Sequence, residues 1–198
     1  MPRSRFDRLD PARREQILDV AAQAFAEGGY DGASYNRILA DAELSKSSAY
    51  YLFEGKADLY AAVLQRATTG LLAAMPVPEP TTDAPEWWAS TRAWLQSSLV
   101  FLHTQPQAAA LFLGYLDARR RGVVPDLDHQ LDEAARGTVE ALLASGQAAG
   151  AVRTDLPGEL LLALTGAVFA ALDHHFAASL DEGAVDVYID TLRRLLAP

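Results

Sequence analysis

The chain has 198 residues, half of them apolar, a net charge of −9 and no cysteine. It is long enough to bury a sizeable core, and the missing thiols exclude a disulfide framework, a thiolate nucleophile and Cys-ligated zinc or iron–sulfur sites. The acidic balance argues against indiscriminate nucleic-acid binding, which depends on a basic surface that releases counterions. The opening segment MPRSRFDRLDPARREQ lacks an apolar h-region, and the longest apolar run, LLLALTGAVFAAL at 160–172, is shorter than a membrane span. A cytoplasmic protein with no membrane partner is expected.

In chain order, Asp10-Pro11 reads as an N-cap followed by a first-turn proline, and Ile17, Leu18, Ala21, Ala22 and Phe25 recur at helical spacing until Gly28-Gly29 ends the first helix. Ser34 caps a short second helix to about Ala42, with Ile38, Leu39 and Ala42 inward. Ser45 opens a third helix, reaching about Phe53. Three helices in so short a segment, the second and third joined by a tight turn, make a helix-turn-helix. A fourth helix starts at Lys56 and stops at the proline-rich stretch MPVPEPTTDAP, 75–85. Five more follow: near 86–103, from Pro106 to the Arg119–Arg121 run, near 127–148, near 158–180, and after Gly183. Alternating Val/Ile/Thr runs are missing, so the expected fold class is all-α with about nine helices, divided into an N-terminal helix-turn-helix domain, 1–55, and a larger helical domain, 56–198.

The stretch SKSSAYYLFEGK, 45–56, stands out. At about 100° per residue, Ala49, Leu52 and Phe53 fall on one face, whereas Ser47 and Tyr51 point the opposite way, flanked by Ser48 and Tyr50. Such a helix buries little and displays small hydroxyls beside phenols. It suits entry into a DNA groove, or else is a surface helix with two solvated tyrosines. Charge adds to the first reading: residues 1–14 hold five arginines against two aspartates, and the only lysines of the chain, Lys46 and Lys56, lie at the two ends of this stretch.

REQILDVAAQAFAEGGYDGASYNRILADAELSKSSAYYLFEGKADL resembles the tetracycline-repressor (TetR) family of bacterial transcriptional regulators, including the aromatic after the double glycine and the Tyr-x-x-Phe-x-x-Lys ending. Over the remainder the likeness is architectural, a helical bundle with a Gly-x-x-Arg-x-Asp turn before helix 8. The resemblance implies an N-terminal DNA reader followed by a ligand-binding and dimerisation domain. It also implies repression relieved by a small molecule. It places the recognition helix on Ser45–Leu52, so that Lys46, Ser47, Ser48 and Tyr51 look like base and phosphate contacts, Tyr50 a phosphate contact and Lys56 a phosphate clamp. Ser34 can offer its hydroxyl and amide to phosphate, with Tyr35, Asn36 and Arg37 within reach of the groove and Arg37 the best candidate for a bidentate guanine contact. Three residues depart from the family pattern. Glu43 stands at a turn glycine and is expected in the left-handed region at a cost of roughly 1 kcal/mol. Leu52 removes a frequent histidine, and Glu54 adds a negative charge near the phosphate path.

In the larger region, Trp87, Trp94 and Phe101 recur at spacing seven, with Trp88, Leu95 and Leu102 in the neighbouring stripe. Such a stripe is more often core than pocket wall. Because the resemblance puts the effector among helices 4 to 8, Trp88, Trp94, Phe101, Phe112, Tyr115 and Phe169 are the candidate ligand-binding residues, and the effector is expected to be largely apolar or aromatic. Helix 8 is apolar nearly all round, and helix 9 carries Val185, Tyr188, Ile189, Leu192, Leu195 and Leu196. The two are expected to pair with their symmetry mates in a homodimer on a palindromic operator. No metal site is expected of the histidines: His103 and His129 read as exposed, and the adjacent His174 and His175 point about 100° apart on a helix, with Asp173 nearby leaving only a weak site open. Arg119–Arg121 reads more simply as a solvated helix end than as a nucleic-acid patch. The alternative class, a helical-bundle enzyme or carrier, finds no nucleophile–base pair, phosphate loop or carboxylate dyad. No catalytic residue or cofactor is expected.

Overall fold

Capping chemistry frames the first helix. In the computed structural model, which describes residues 5–75, 78–122, 125–176 and 182–198 (with the side chains of 125–135, 173–176 and 182 outside the description), α1 runs Pro11–Gly32. The Asp10 carboxylate accepts from the Arg13 backbone N–H, and Pro11 occupies the first turn, where a missing N–H costs nothing. Ile17, Leu18, Ala21, Ala22 and Phe25 are buried. Gly29 breaks the helix at φ 62°, ψ −174°, a conformation open in practice to glycine.

The remaining helices are α2 (Tyr35–Asp41), α3 (Lys46–Leu52), α4 (Lys56–Ala74), α5 (Ala84–Thr104), α6 (Pro106–Arg120), α7 (Pro125–Ala148), α8 (Gly158–Phe176) and α9 (Glu182–Leu196). The described residues form no strand, so the fold is all-α. None of their helices is long and apolar enough to cross a membrane.

The chain divides into two compact units. The first, Met1–Gly70 with Gln105–Asp128, holds α1 to α3, most of α4, and α6. The helix-turn-helix therefore shares a compact unit with residues well beyond 55. Here α6 packs on α1 through Leu111, Tyr115 and Ala118, all buried. Tyr60 of α4 is enclosed between the rings of Phe25 (4.8 Å) and Tyr30 (5.2 Å). Arg66 ties α4 to α1 by donating to Asp19 (2.7 Å) and Glu15 (3.0 Å).

The second unit, Leu71–Thr104 with His129–Pro198, is built round Trp87, Trp88 and Leu95 of α5. Trp87 donates its indole N–H to Ser145 Oγ at 2.9 Å, so its one polar atom is satisfied inside the core. Its ring lies so close to α7 that a Cβ on Gly146 would come within 2.7 Å of Trp87 Cζ2 and 2.5 Å of Val152 Cγ2. The Gly-x-x-Arg-x-Asp turn is a structural joint. Arg153 donates to both carboxylate oxygens of Asp155 at 2.6 Å, and its backbone N–H donates to the Leu196 carbonyl at 2.7 Å, fastening the turn to the end of α9. The pairing holds the Asp155 carboxyl below its ordinary pKa.

Val185, Ile189, Leu192 and Leu196 of α9, expected on the face toward a symmetry mate, are instead buried inside their own unit, where α9 packs on α5 and α8. An apolar stripe at helical spacing says that something must cover it, and here the same protomer does.

Candidate nucleic-acid interface

α2 and α3 are seven-residue helices joined by a turn that closes as a Schellman motif. Leu44 N–H donates to the Leu39 carbonyl (2.8 Å) and Glu43 N–H to that of Ala40 (3.0 Å). Glu43 takes the left-handed position at φ 52°, the only described non-glycine residue to do so, at roughly 1 kcal/mol relative to glycine. The strain expected from the sequence is present. Arg13 of α1 reaches across and donates through Nη2 to the carbonyls of Ala42 (2.7 Å) and Glu43 (3.2 Å).

Ser45 then caps α3, its Oγ accepting from the Ser48 backbone N–H at 3.1 Å. The same hydroxyl lies 2.8 Å from Ser48 Oγ and 3.0 Å from Ser47 Oγ, making a cluster of three hydroxyls at the helix start. Ala49, Leu52 and Phe53 are buried. Lys46, Ser47 and Ser48 are exposed, and Tyr50 and Tyr51 are 59% and 53% exposed, large apolar rings left in water on a seven-residue helix.

The flanking candidates divide. Ser34 caps α2, accepting from Arg37 N–H at 3.4 Å, and Asn36 is exposed. Arg37 projects into solvent, with Asp41 one turn on at 3.6 Å, an exposed pair that a phosphate or a guanine edge can displace. Tyr35 departs from expectation: its hydroxyl is buried, without a hydrogen-bond partner among the described residues, and burial pushes its pKa up, with Tyr50 and Asp58 adding to the effect. That hydroxyl is not offered to phosphate. Lys56, at the start of α4, rests 4.8 Å over the Tyr30 ring and donates to the Asp31 carbonyl at 3.3 Å. Partial burial lowers its pKa, and Asp31 opposes that shift. The Asp31 carboxylate in turn pairs with Arg121, which also binds Asp117 at 2.9 Å. Arg120 pairs with the same Asp117 at 3.2 Å, so Arg120 and Arg121 of the run are engaged in ion pairs.

The arm carries a contributor, Phe6, that helical spacing does not point to. Phe6 is 3% exposed and packs on Phe53 at 4.8 Å, anchoring the N-terminal arm, and it sets the Arg5 guanidinium 3.9 Å over the Tyr51 ring. A lone aromatic in a basic arm was the available signal for Phe6. Arg3 lies outside the described residues. Arm and α3 bound a cleft of about 570 Å³ with Arg5, Arg13, Ser47, Ser48 and Tyr51 on its walls. A convex helix of hydroxyls and phenols, edged by Arg5, Arg37, Lys46 and Lys56, has the donors and acceptors that base edges and phosphates require.

The six ligand candidates are distributed between the units. Phe112 and Tyr115 belong to the first, where Tyr115 is buried; Trp88, Trp94, Phe101 and Phe169 belong to the second. Trp88 is core, 6% exposed, with the Arg193 guanidinium 5.1 Å over its ring. Trp94 is half-buried and donates its indole N–H to the Met75 carbonyl at 3.2 Å. Phe101 and Phe112 are half-buried, as is Phe169, whose ring lies 5.8 Å from Tyr188. His103 is exposed, its Nδ1 2.9 Å from the Leu99 carbonyl. The readings of His129, Asp173, His174 and His175 fall outside the described side chains.

A helix-turn-helix with this outward face, followed by a larger helical domain, defines the class of a DNA-binding transcriptional regulator. Residues 17–63 match the family described as bacterial regulatory proteins of the tetR family, and residues 92–194, just over half of the chain, match the SbtR-like transcriptional regulator C-terminal domain. The chain belongs to the TetR family of bacterial transcriptional regulators and is not an enzyme. It is 40% identical over 60 residues to the HTH-type transcriptional activator FasR of Mycolicibacterium smegmatis, a match covering 30% of this chain and 27% of that protein. A TetR family regulator from Chloroflexus aurantiacus shares 25% identity over 100% of this chain and 99% of that one, with a TM-score of 0.59. SmeT, the repressor of the Stenotrophomonas maltophilia multidrug efflux pump SmeDEF, shares the fold at a TM-score of 0.70 and 18% identity, over 93% of this chain and 90% of that one.

Proposed function

We propose that the protein is a cytoplasmic homodimer that reads a palindromic operator with α3 and represses transcription until a small, largely apolar or aromatic molecule releases it. The observation that carries the reading is the face of α3, where Ser47, Ser48, Tyr50 and Tyr51 stand in water while Ala49 and Leu52 hold the helix to its support. In this reading Ser47, Ser48 and Tyr51 meet bases and phosphates, and Arg37 meets a guanine. Tyr50, Lys56 and the Ser34 cap hold the backbone.

For the dimer, α8 supplies the support. Leu160 is 45% exposed, and Ala163, Ala167 and Ala170 are exposed on the same helix, a smooth apolar strip. With α9 covered along Val185 to Leu196, its share of the interface falls to residues such as Val187, 43% exposed. For the effector, half-buried Trp94, Phe101 and Phe169 are better placed than Trp88, which is built into the core. The similarity to the activator FasR favours a second reading, in which the same DNA contacts activate transcription.

Selection of duplexes from a random-sequence library by the whole protein tests the reading. The expected product is an inverted repeat with half-sites about one helical turn apart, bound by two protomers. Retention of every sequence alike overturns DNA reading, and a single unrepeated half-site overturns the dimer. Release of the selected duplex by members of a panel of planar aromatic compounds, and by none of their polar counterparts, tests the effector.

A further inference from the structure

The turn between α2 and α3 must hold the reading helix at one angle, and it does so without the residue best suited to it. Glu43 sits at φ 52°, where a side chain strains the backbone. The Schellman bonds satisfy Leu39 and Ala40 but leave the carbonyls of Ala42 and Glu43 pointing out of the turn. Both are taken by one atom, Arg13 Nη2, while Arg13 Nη1 donates to Gln16 Oε1 at 2.7 Å and so orients the guanidinium plane. Arg13 comes from α1, 29 residues before Ala42, so the contact fastens the turn to a helix outside the motif. Lys46, the first residue of α3, follows Glu43 by three positions.

We propose that Arg13 is a positioning residue for DNA reading: it clamps the strained turn through the Ala42 and Glu43 carbonyls and thereby sets the angle of α3. It stands in for the missing glycine, which would hold the left-handed conformation unaided. Its positive charge, at the carbonyl end of α2, also complements the local dipole. The other role open to an arginine on this surface is a direct phosphate contact. The two differ in what they require of the side chain. A phosphate contact needs charge, which lysine supplies. The clamp needs one nitrogen on both carbonyls and a second nitrogen held by Gln16, so that the planar guanidinium is fixed in place; lysine has a single nitrogen on a flexible stem and supplies no such orientation.

The inference rests on α3 being the reading helix. Its test uses the full-length protein and the duplex that the wild type selects from a random library, with a scrambled duplex of equal length beside it. Arg13→Ala and Arg13→Lys are both expected to lose about tenfold in affinity for the selected duplex, the scale of a charge-assisted hydrogen bond. Affinity for the scrambled duplex and the salt slope on it stay at the wild-type values. Glu43→Gly alone stays near wild type, and Arg13→Ala/Glu43→Gly regains most of the lost affinity, because glycine relaxes the turn that the arginine holds. Urea unfolding of each variant confirms that the titrated species is folded. The backbone N–H of residue 13 still caps onto Asp10 in every variant, so the α1 start is not altered. A salt slope lower by about one in Arg13→Ala, with Arg13→Lys like wild type, overturns the proposal in favour of a phosphate contact. Failure of Glu43→Gly to rescue overturns it also. If the wild type selects no sequence, the reading of α3 fails instead, and the two failures are told apart.

Discussion

Two pairs of adjacent aromatics bracket the chemistry of this protein. Tyr50-Tyr51 sits on a seven-residue helix and is 59% and 53% exposed; Trp87-Trp88 sits on a helix of 21 residues and is 2% and 6% exposed. Both pairs place large rings about 100° apart on a helix. The difference lies in what the helix around each pair can bury. α5 has a long apolar stripe, a partner hydroxyl for the Trp87 N–H and a glycine opposite its ring. α3 commits only Ala49 and Leu52 to the core. The indoles therefore hold the core of the second unit together, whereas the phenols, with Arg5 laid on Tyr51, stay available to a partner.

Truncating one member of each pair breaks the comparison most directly. Trp87→Ala is expected to cost about 3 to 5 kcal/mol of stability, the range for a buried large aromatic, read as a lower urea midpoint with unchanged slope. A loss under about 1 kcal/mol would show that the ring is not a core element. The same wall can be overfilled. Gly146→Ala puts a methyl 2.7 Å from Trp87 Cζ2 and 2.5 Å from Val152 Cγ2, and a destabilisation of about 1 to 3 kcal/mol is expected in the same assay. If Trp87 instead moves aside freely, Gly146→Ala leaves the midpoint in place and the tight fit is refuted.

How far these roles were legible in the sequence follows distance along the chain. The caps of Asp10, Ser34 and Ser45 and the inward set Ala49, Leu52 and Phe53 are local, and each was readable from residue type and helical period, whereas the left-handed Glu43 was legible only through the family resemblance. Arg13 on the 42–43 turn and Phe6 on Phe53 join segments dozens of residues apart, and no spacing rule announces them. The apolar face of α9 illustrates a third case. Periodicity established that Val185, Ile189, Leu192 and Leu196 are covered, but whether by α5 or by a second subunit is a property of the packed fold. Trp88 was ambiguous for the same reason, since core and pocket wall use the same spacing.

The phenols provide the converse test. Tyr51→Ala removes little buried area and one exposed cation–π contact, so its stability should fall by less than about 1 kcal/mol. Affinity for the selected duplex should nevertheless drop, with about 1 to 3 kcal/mol of discrimination lost at one position of each half-site if Tyr51 touches a base. Equal loss on selected and scrambled duplexes would move Tyr51 from base reader to phosphate contact.

Lys56→Ala is expected to have the smallest effect on the fold and a distinctive one on DNA. The ammonium rests on the Tyr30 ring and on the Asp31 carbonyl, both at the surface, and such contacts contribute about 0.5 to 1 kcal/mol at most. If Lys56 serves as a phosphate clamp, its removal weakens binding evenly on every duplex and lowers the salt slope by about one, since one fewer counterion is released. If its purpose is instead to staple the start of α4 to the last turn of α1, the salt slope stays put and the loss appears in the urea midpoint. Lys56→Arg keeps both the charge and the ring contact and is expected to behave like the wild type in either role. A change of base preference in Lys56→Ala, with the slope unaltered, would contradict both roles.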